Sequence, residues 1–130
     1  MSKKDKKPKI VVLCGSSRYV QEMSVVSWLI ERDEHAITMG LHLLPSWYSG
    51  EKITDHLAEY EGVSEAMDRL HLQKIEMADE VFIVNRNDYI GISTSNEIKH
   101  AISLNKTLRW YTHDPVGEEV EKLIDEARIS

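Results

Sequence analysis

Two short stretches carry the residue types from which a site could be built: "CGSSR" at 14–18 and "GISTSNEIKHA" at 91–101. In the first, Gly15 allows a tight turn and a close approach of backbone to ligand. Ser16 and Ser17 place hydroxyls at the start of a helix, and Arg18 adds formal positive charge. Free N–H groups and the dipole at a helix start attract anions, so a phosphate fits this loop. The ligand-free alternative is a helix simply capped by Ser16 or Ser17. The full dinucleotide fingerprint is absent, as is the lysine-bearing P-loop. Cys14 reads as a small buried hydrophobe rather than a nucleophile, because no catalytic partner stands beside it in sequence.

The second stretch sets Glu97 behind Gly91, Ser93 and Thr94. "TSNE" (94–97) matches the capping box, in which Thr94 accepts from the Glu97 N–H and the carboxylate reaches back. On that reading Glu97 is structural. The preceding "DYIGIS" could approach a ligand and gives the acid a second role: a carboxylate near a helix N-terminus is kept ionised and can act as a nucleophile. His71 and His100 lack the spacing of a zinc pair, so no metal site is expected. Asp68 and His71 lie three apart, on one helical face. Trp47 and Tyr48, in "PSWYSG", either stack on a base or pack at a subunit interface.

Hydrophobic periodicity supplies the elements that must position these residues. Strands are predicted at 9–15, 35–44, 80–85 and 106–112. Helices are predicted at 20–32, 50–79, 94–104 and 117–128. The long helix has Leu57, Val63, Met67, Leu70, Ile75 and Ala78 as its apolar side and Gly62 as an interruption. Strict alternation of strand and helix implies an α/β fold, a single-domain Rossmann-like or flavodoxin-like parallel sheet of four or five strands with helices on both faces. Ligands of such sheets bind beyond the carboxyl ends of the strands. Both chemical stretches lie there, one after the first strand and one after the third.

The chain of 130 residues suits one domain, 9–130, behind a flexible lysine-rich leader, 1–8. The formal charge of −6 is uneven: residues 1–9 carry net +4, leaving −10 on the rest. A body this acidic is a poor match for nucleic-acid backbone. The positive leader has no hydrophobic stretch behind it and no apolar run reaches membrane length, which argues against secretion and membrane insertion. The lone Cys14 cannot close an intramolecular disulfide and points to a reducing, cytoplasmic location.

Together with "ADEVFIVN" (78–85), the two stretches resemble the nucleoside 2-deoxyribosyltransferase superfamily, including the 2′-deoxynucleoside 5′-monophosphate N-hydrolases. The similarity spans about residues 9–112 and is specific only in the three motifs. It implies an enzyme that cleaves the N-glycosidic bond of a nucleoside or nucleoside 5′-monophosphate. Glu97 would attack the anomeric carbon, and Asp88 and His71 would contact or protonate the leaving base. Gly15, Ser16, Ser17 and Arg18 would receive phosphate or sugar oxygens, with Gly91, Ser93 and Thr94 completing the cradle. The resemblance implies no metal or organic cofactor, and a homodimer or larger homo-oligomer. Val12 stands where family enzymes commonly carry a tyrosine, and His71 where the hydrolases carry a helical aspartate. The Gly91-to-Glu97 spacing instead resembles the "GG-x-GT-x-x-E" loop of the cytokinin-activating phosphoribohydrolases. The alternative is a nucleotide-binding or sensing module that uses the same crevice without turnover.

Overall fold

The computed structural model describes residues 7–49 and 61–129. Residues 1–6 of the expected leader, residues 50–60 of the expected long helix and its Leu57 lie outside the described residues. Four strands form one parallel sheet: β1 (Ile10–Gly15), β2 (Ile37–Met39), β3 (Glu80–Val84) and β4 (Thr107–Trp110), in the order β2-β1-β3-β4. The helices are α1 (Val20–Glu34), the four-residue α2 (Ser46–Ser49), α3 (Ser64–Met77), α4 (Ile92–Ser103) and α5 (Pro115–Ile129). This is the expected Rossmann-like α/β architecture, with four strands. Among the described residues no helix is long and apolar enough to cross a membrane.

The continuous apolar runs of β1 and β3 follow from burial on both faces. Val11 and Leu13 with Phe82 and Val84 point to the side covered by α1 and α5. Val12 and Cys14 with Val81 and Ile83 point to the side covered by α3 and α4. The two cores thus alternate residue by residue through the same strands. The chain moves one way along the sheet from β1 to β2 and the other way from β2 through β3 to β4. Right-handed crossovers therefore place α1 on one face and α3 and α4 on the opposite face. The reversal opens the crevice between β1 and β3, where Gly15 pairs with Val84 at the carboxyl ends.

Several boundaries differ from expectation, each for a tertiary reason. The second strand is three residues rather than ten; it begins after His35, which ends α1 in the left-handed conformation, and stops before Gly40. Gly62 lies in a turn with φ 76, and α3 starts only at Ser64. Of the predicted apolar stripe Ile75 and Ala78 are buried, but Val63 is 40% and Leu70 47% exposed, and His71 turns inward beside Ile75. A polar residue has taken the place of an apolar one. The fourth helix starts at Ile92, not 94, and Gly91 is its N-cap.

Helix α5 is fixed against the end of β4 by Gly117. An added Cβ there would penetrate the van der Waals envelope of the Tyr111 carbonyl oxygen, which is backbone and cannot swing aside. Alanine gains up to about 1 kcal/mol of helix propensity over glycine, whereas overpacking a close contact costs about 1–3 kcal/mol or more. The contact term wins. Gly117→Ala is therefore expected to lower the free energy of unfolding, by up to about 2 kcal/mol, in urea denaturation, against the direction that propensity alone would give.

Candidate functional site

Three elements aim one polar side chain each at a common point beside β1. Cys14 sits near the carboxyl end of β1 on the side facing α3 and α4. On α3, His71 and Ile75, one turn apart, face the sheet, followed by the C-cap Ala78, so the imidazole enters with the aliphatic contacts. On α4 the inward residues are Thr94, Glu97 and Ala101. Cys14 Sγ lies 3.4 Å from His71 Nε2, and that same nitrogen lies 3.5 Å from Glu97 Oε2. The three donor atoms fall within 4.8 Å of one another, and all three residues are buried.

Desolvation governs the protonation of the cluster. Burial, reinforced by the Asp68 carboxylate, pushes Glu97 up to about 8. Burial, with Lys74 and His42 nearby, pulls His71 down to about 4. Burial and then the Glu97 charge raise the Cys14 thiol well above its ordinary value. A separation of 3.5 Å would suit an ion pair, but withdrawing both charges from water favours the neutral forms. At pH 7 the proton therefore sits on Glu97 and the imidazole is unprotonated.

This revises the expectation for the acid. Thr94 is not an N-cap: it is buried inside α4, and Gly91 caps the helix without any side-chain bond. Glu97 lies in the second turn, inside the helix, so the terminal N–H groups do not hold it ionised. It is a neutral, buried acid.

The two loops leaving β1 and β3 do converge. The Arg18 guanidinium lies 3.8 Å from the Tyr89 ring centre, Tyr19 meets the same ring edge-on at 6.3 Å, and the Tyr19 hydroxyl donates to the Arg86 carbonyl at 2.8 Å. Ser16 Oγ accepts the Arg18 N–H at 3.2 Å, so one of the proposed ligand hydroxyls already serves as a cap. Gly15 sits in a tight place of its own: a Cβ would come within 3.1 Å of the Val84 carbonyl oxygen and 3.2 Å of Val84 Cβ. The glycine permits the close approach of β1 to β3 whether or not a ligand binds. Gly91 has no such requirement, with φ −79 and ψ 174.

The expected residues thus divide. Glu97 and His71 come together, with Cys14 as a third member. Ser17 and Arg18 lie in a short 3-10 turn, Ser17–Tyr19, that precedes α1, and Ser93 is exposed in the first turn of α4. Asp88 is exposed in the turn Arg86–Asp88, with φ 57, and among the described residues it forms no hydrogen bond or ion pair with His71 or Glu97. The chain matches no protein-family model and no curated protein.

Sequence reasoning missed Tyr89 and Arg86; Cys14 is the buried core residue expected, but its contact with His71 was not foreseen. Arg86 donates to Glu22 at 2.6 Å and, through two nitrogens, to Glu121 at 2.7 and 3.1 Å, tying the β3 loop to α1 and α5. None of these partners is near in sequence. A cysteine at the end of a buried strand was the available signal, since such positions border the crevice of this sheet type.

The raised Glu97 value sets a sign for stability. The folded state prefers the protonated acid more than the unfolded chain does, so this contribution is fully present below about pH 4.5 and is lost as pH rises through about 8. Glu97→Gln, neutral throughout, is expected to be more stable than the parent at pH 8–9 by on the order of a few kcal/mol. The difference should shrink toward pH 4.5, as read from urea unfolding across that range.

Proposed function

We propose that the protein cleaves the N-glycosidic bond of a nucleoside or nucleoside 5′-monophosphate, in the manner of the nucleoside 2-deoxyribosyltransferase-like enzymes it resembles. The observation that supports this reading is the buried Glu97–His71 pair at 3.5 Å, beside the β1/β3 crevice. A neutral acid beside a neutral imidazole can exchange a proton without an isolated charge being carried through a dry interior.

In the proposed reaction the sugar lies with its anomeric carbon before Glu97 and its 5′ side toward Ser17 and Arg18. The acid passes its proton to His71 Nε2, and the carboxylate so formed faces the positive charge that develops on the sugar. The C–N bond breaks with its electron pair going to the base, which takes the proton from His71. The carboxylate bonds to or screens the anomeric carbon until water attacks there. The proton released by water returns to the Glu97–His71 pair. Asp88, exposed on the β3 loop, is assigned to base contact.

Free base released from a panel of deoxynucleosides and their 5′-monophosphates, followed by chromatography, tests the reading. Glu97→Gln is expected to lower kcat by about 10²-fold or more. The profile of kcat/KM against pH should be bell-shaped, falling below about 4 as His71 protonates and above about 8 as Glu97 ionises. Undiminished turnover in Glu97→Ala removes the mechanism. Arg18→Ala is expected to raise KM for the monophosphate about tenfold, the scale of one charge-assisted contact, while leaving KM for the parent nucleoside near its original value.

Nucleotide binding without turnover is the second reading, favoured by the 8% exposure of Glu97. It predicts that an intact nucleotide raises the melting temperature with no release of base.

A further inference from the structure

Cys14 and Glu97 approach His71 at one and the same atom. A nucleophilic triad uses the two ring nitrogens of its histidine separately, one toward the nucleophile and the other toward the carboxylate. Here Sγ at 3.4 Å and Oε2 at 3.5 Å both meet Nε2. The arrangement is unsuited to activating a thiol. It is instead the arrangement of donor atoms gathered around a shared centre, and from it we infer that Cys14, His71 and Glu97 bind one zinc ion through Sγ, Nε2 and a carboxylate oxygen.

The distances fit that ion. Zinc bonds of about 2.3 Å to sulfur and about 2.0–2.1 Å to nitrogen or oxygen, at tetrahedral angles, place neighbouring donors about 3.3–3.6 Å apart. Both separations to Nε2 fall in this range, and the three donors together lie within 4.8 Å. Rotation of the carboxylate about its soft terminal torsion brings the remaining pair closer without moving a helix.

The chemistry fits as well. A thiolate with an imidazole selects a borderline-soft transition metal over magnesium or calcium, which take oxygen ligands. On binding, the thiol and carboxyl protons leave to solvent, and the two ligand charges cancel those of the cation. The buried site ends with no net charge, which removes the desolvation cost that would forbid either anion alone. The donors stand on a strand end and two helices, so their placement is held by the packing of both faces rather than by a loop. Three protein ligands leave a coordination position for water. Zinc would take the lone pair of His71 that the proposed glycosidic cleavage uses, so the metal would silence that reaction if the reading above holds. The binding itself does not depend on that reading.

The test uses the untagged 130-residue chain, stripped with a chelator, kept reduced and titrated with zinc. One zinc per chain is expected by native mass spectrometry, and that stoichiometry should be lost in Cys14→Ser, a nearly isosteric change whose fold circular dichroism checks. Cobalt(II) offered in place of zinc should give the visible bands of tetrahedral coordination with a near-ultraviolet thiolate-to-cobalt charge-transfer band. The cobalt spectrum of the parent protein decides the matter even if the serine variant fails to fold. No retained zinc, a cobalt complex lacking the thiolate band, or zinc retention unchanged in Cys14→Ser would each overturn the inference. Base release, assayed separately on zinc-free protein, succeeds or fails independently.

Discussion

The pairing of β1 with β3 is the contact on which both cores and the crevice depend. Five consecutive residues of each strand are in register, from Val11 opposite Glu80 to Gly15 opposite Val84. Each strand sends alternate side chains to opposite layers, so one ladder supplies the inner wall of two separate packings. Its last rung is also where the two chemical loops depart. Gly15 suits that rung, because a Cβ there would meet Val84 at 3.1–3.2 Å and require the neighbouring strand to give by a few tenths of an ångström.

The two faces of the sheet solve the problem of buried polarity in opposite ways. On the side of α1 and α5, charge is retained and paired. Arg86 bridges Glu22 and Glu121, with the Tyr111 hydroxyl donating to the same Glu121 carboxylate. Nearer the amino ends of the strands, Arg109 meets Glu34, Glu80 and Asp114. The two guanidinium groups remain partly accessible and each makes several hydrogen bonds to carboxylates, the condition under which a low-dielectric ion pair is tolerable. On the side of α3 and α4 no cation among the described residues offsets the burial of Glu97, and the carboxyl sheds its charge instead. The first solution fixes the helices. The second leaves a proton that can be moved or replaced.

What could be read in the amino-acid sequence follows the range of the forces involved. The runs "IVVLCG" and "EVFIV" announce strands buried on both faces because burial on two sides selects apolar residues without a gap. The alternation of elements carries the sheet and its crevice. Local signals misled where tertiary packing outweighed them. "TSNE" has the pattern of a helix start, yet the chain enters its helix two residues earlier and turns Thr94 and Glu97 inward. In α3 the hydropathy stripe pointed to Leu70, while the fold buries its neighbour His71. The Cys14–His71–Glu97 cluster was illegible for a simpler reason: its members are 57 and 26 positions apart, and no spacing rule connects them.

The stacking of Arg18 on Tyr89 has a consequence for any flat ligand that enters between the loops. The ring and the guanidinium already occupy each other's best faces. A heterocycle that takes the Tyr89 face now covered by Arg18 displaces the guanidinium from the ring, and that charge then lies beside whatever anionic group the newcomer carries. Displacement and capture become one exchange of partners, so aromatic and phosphate recognition would reinforce each other within a single molecule.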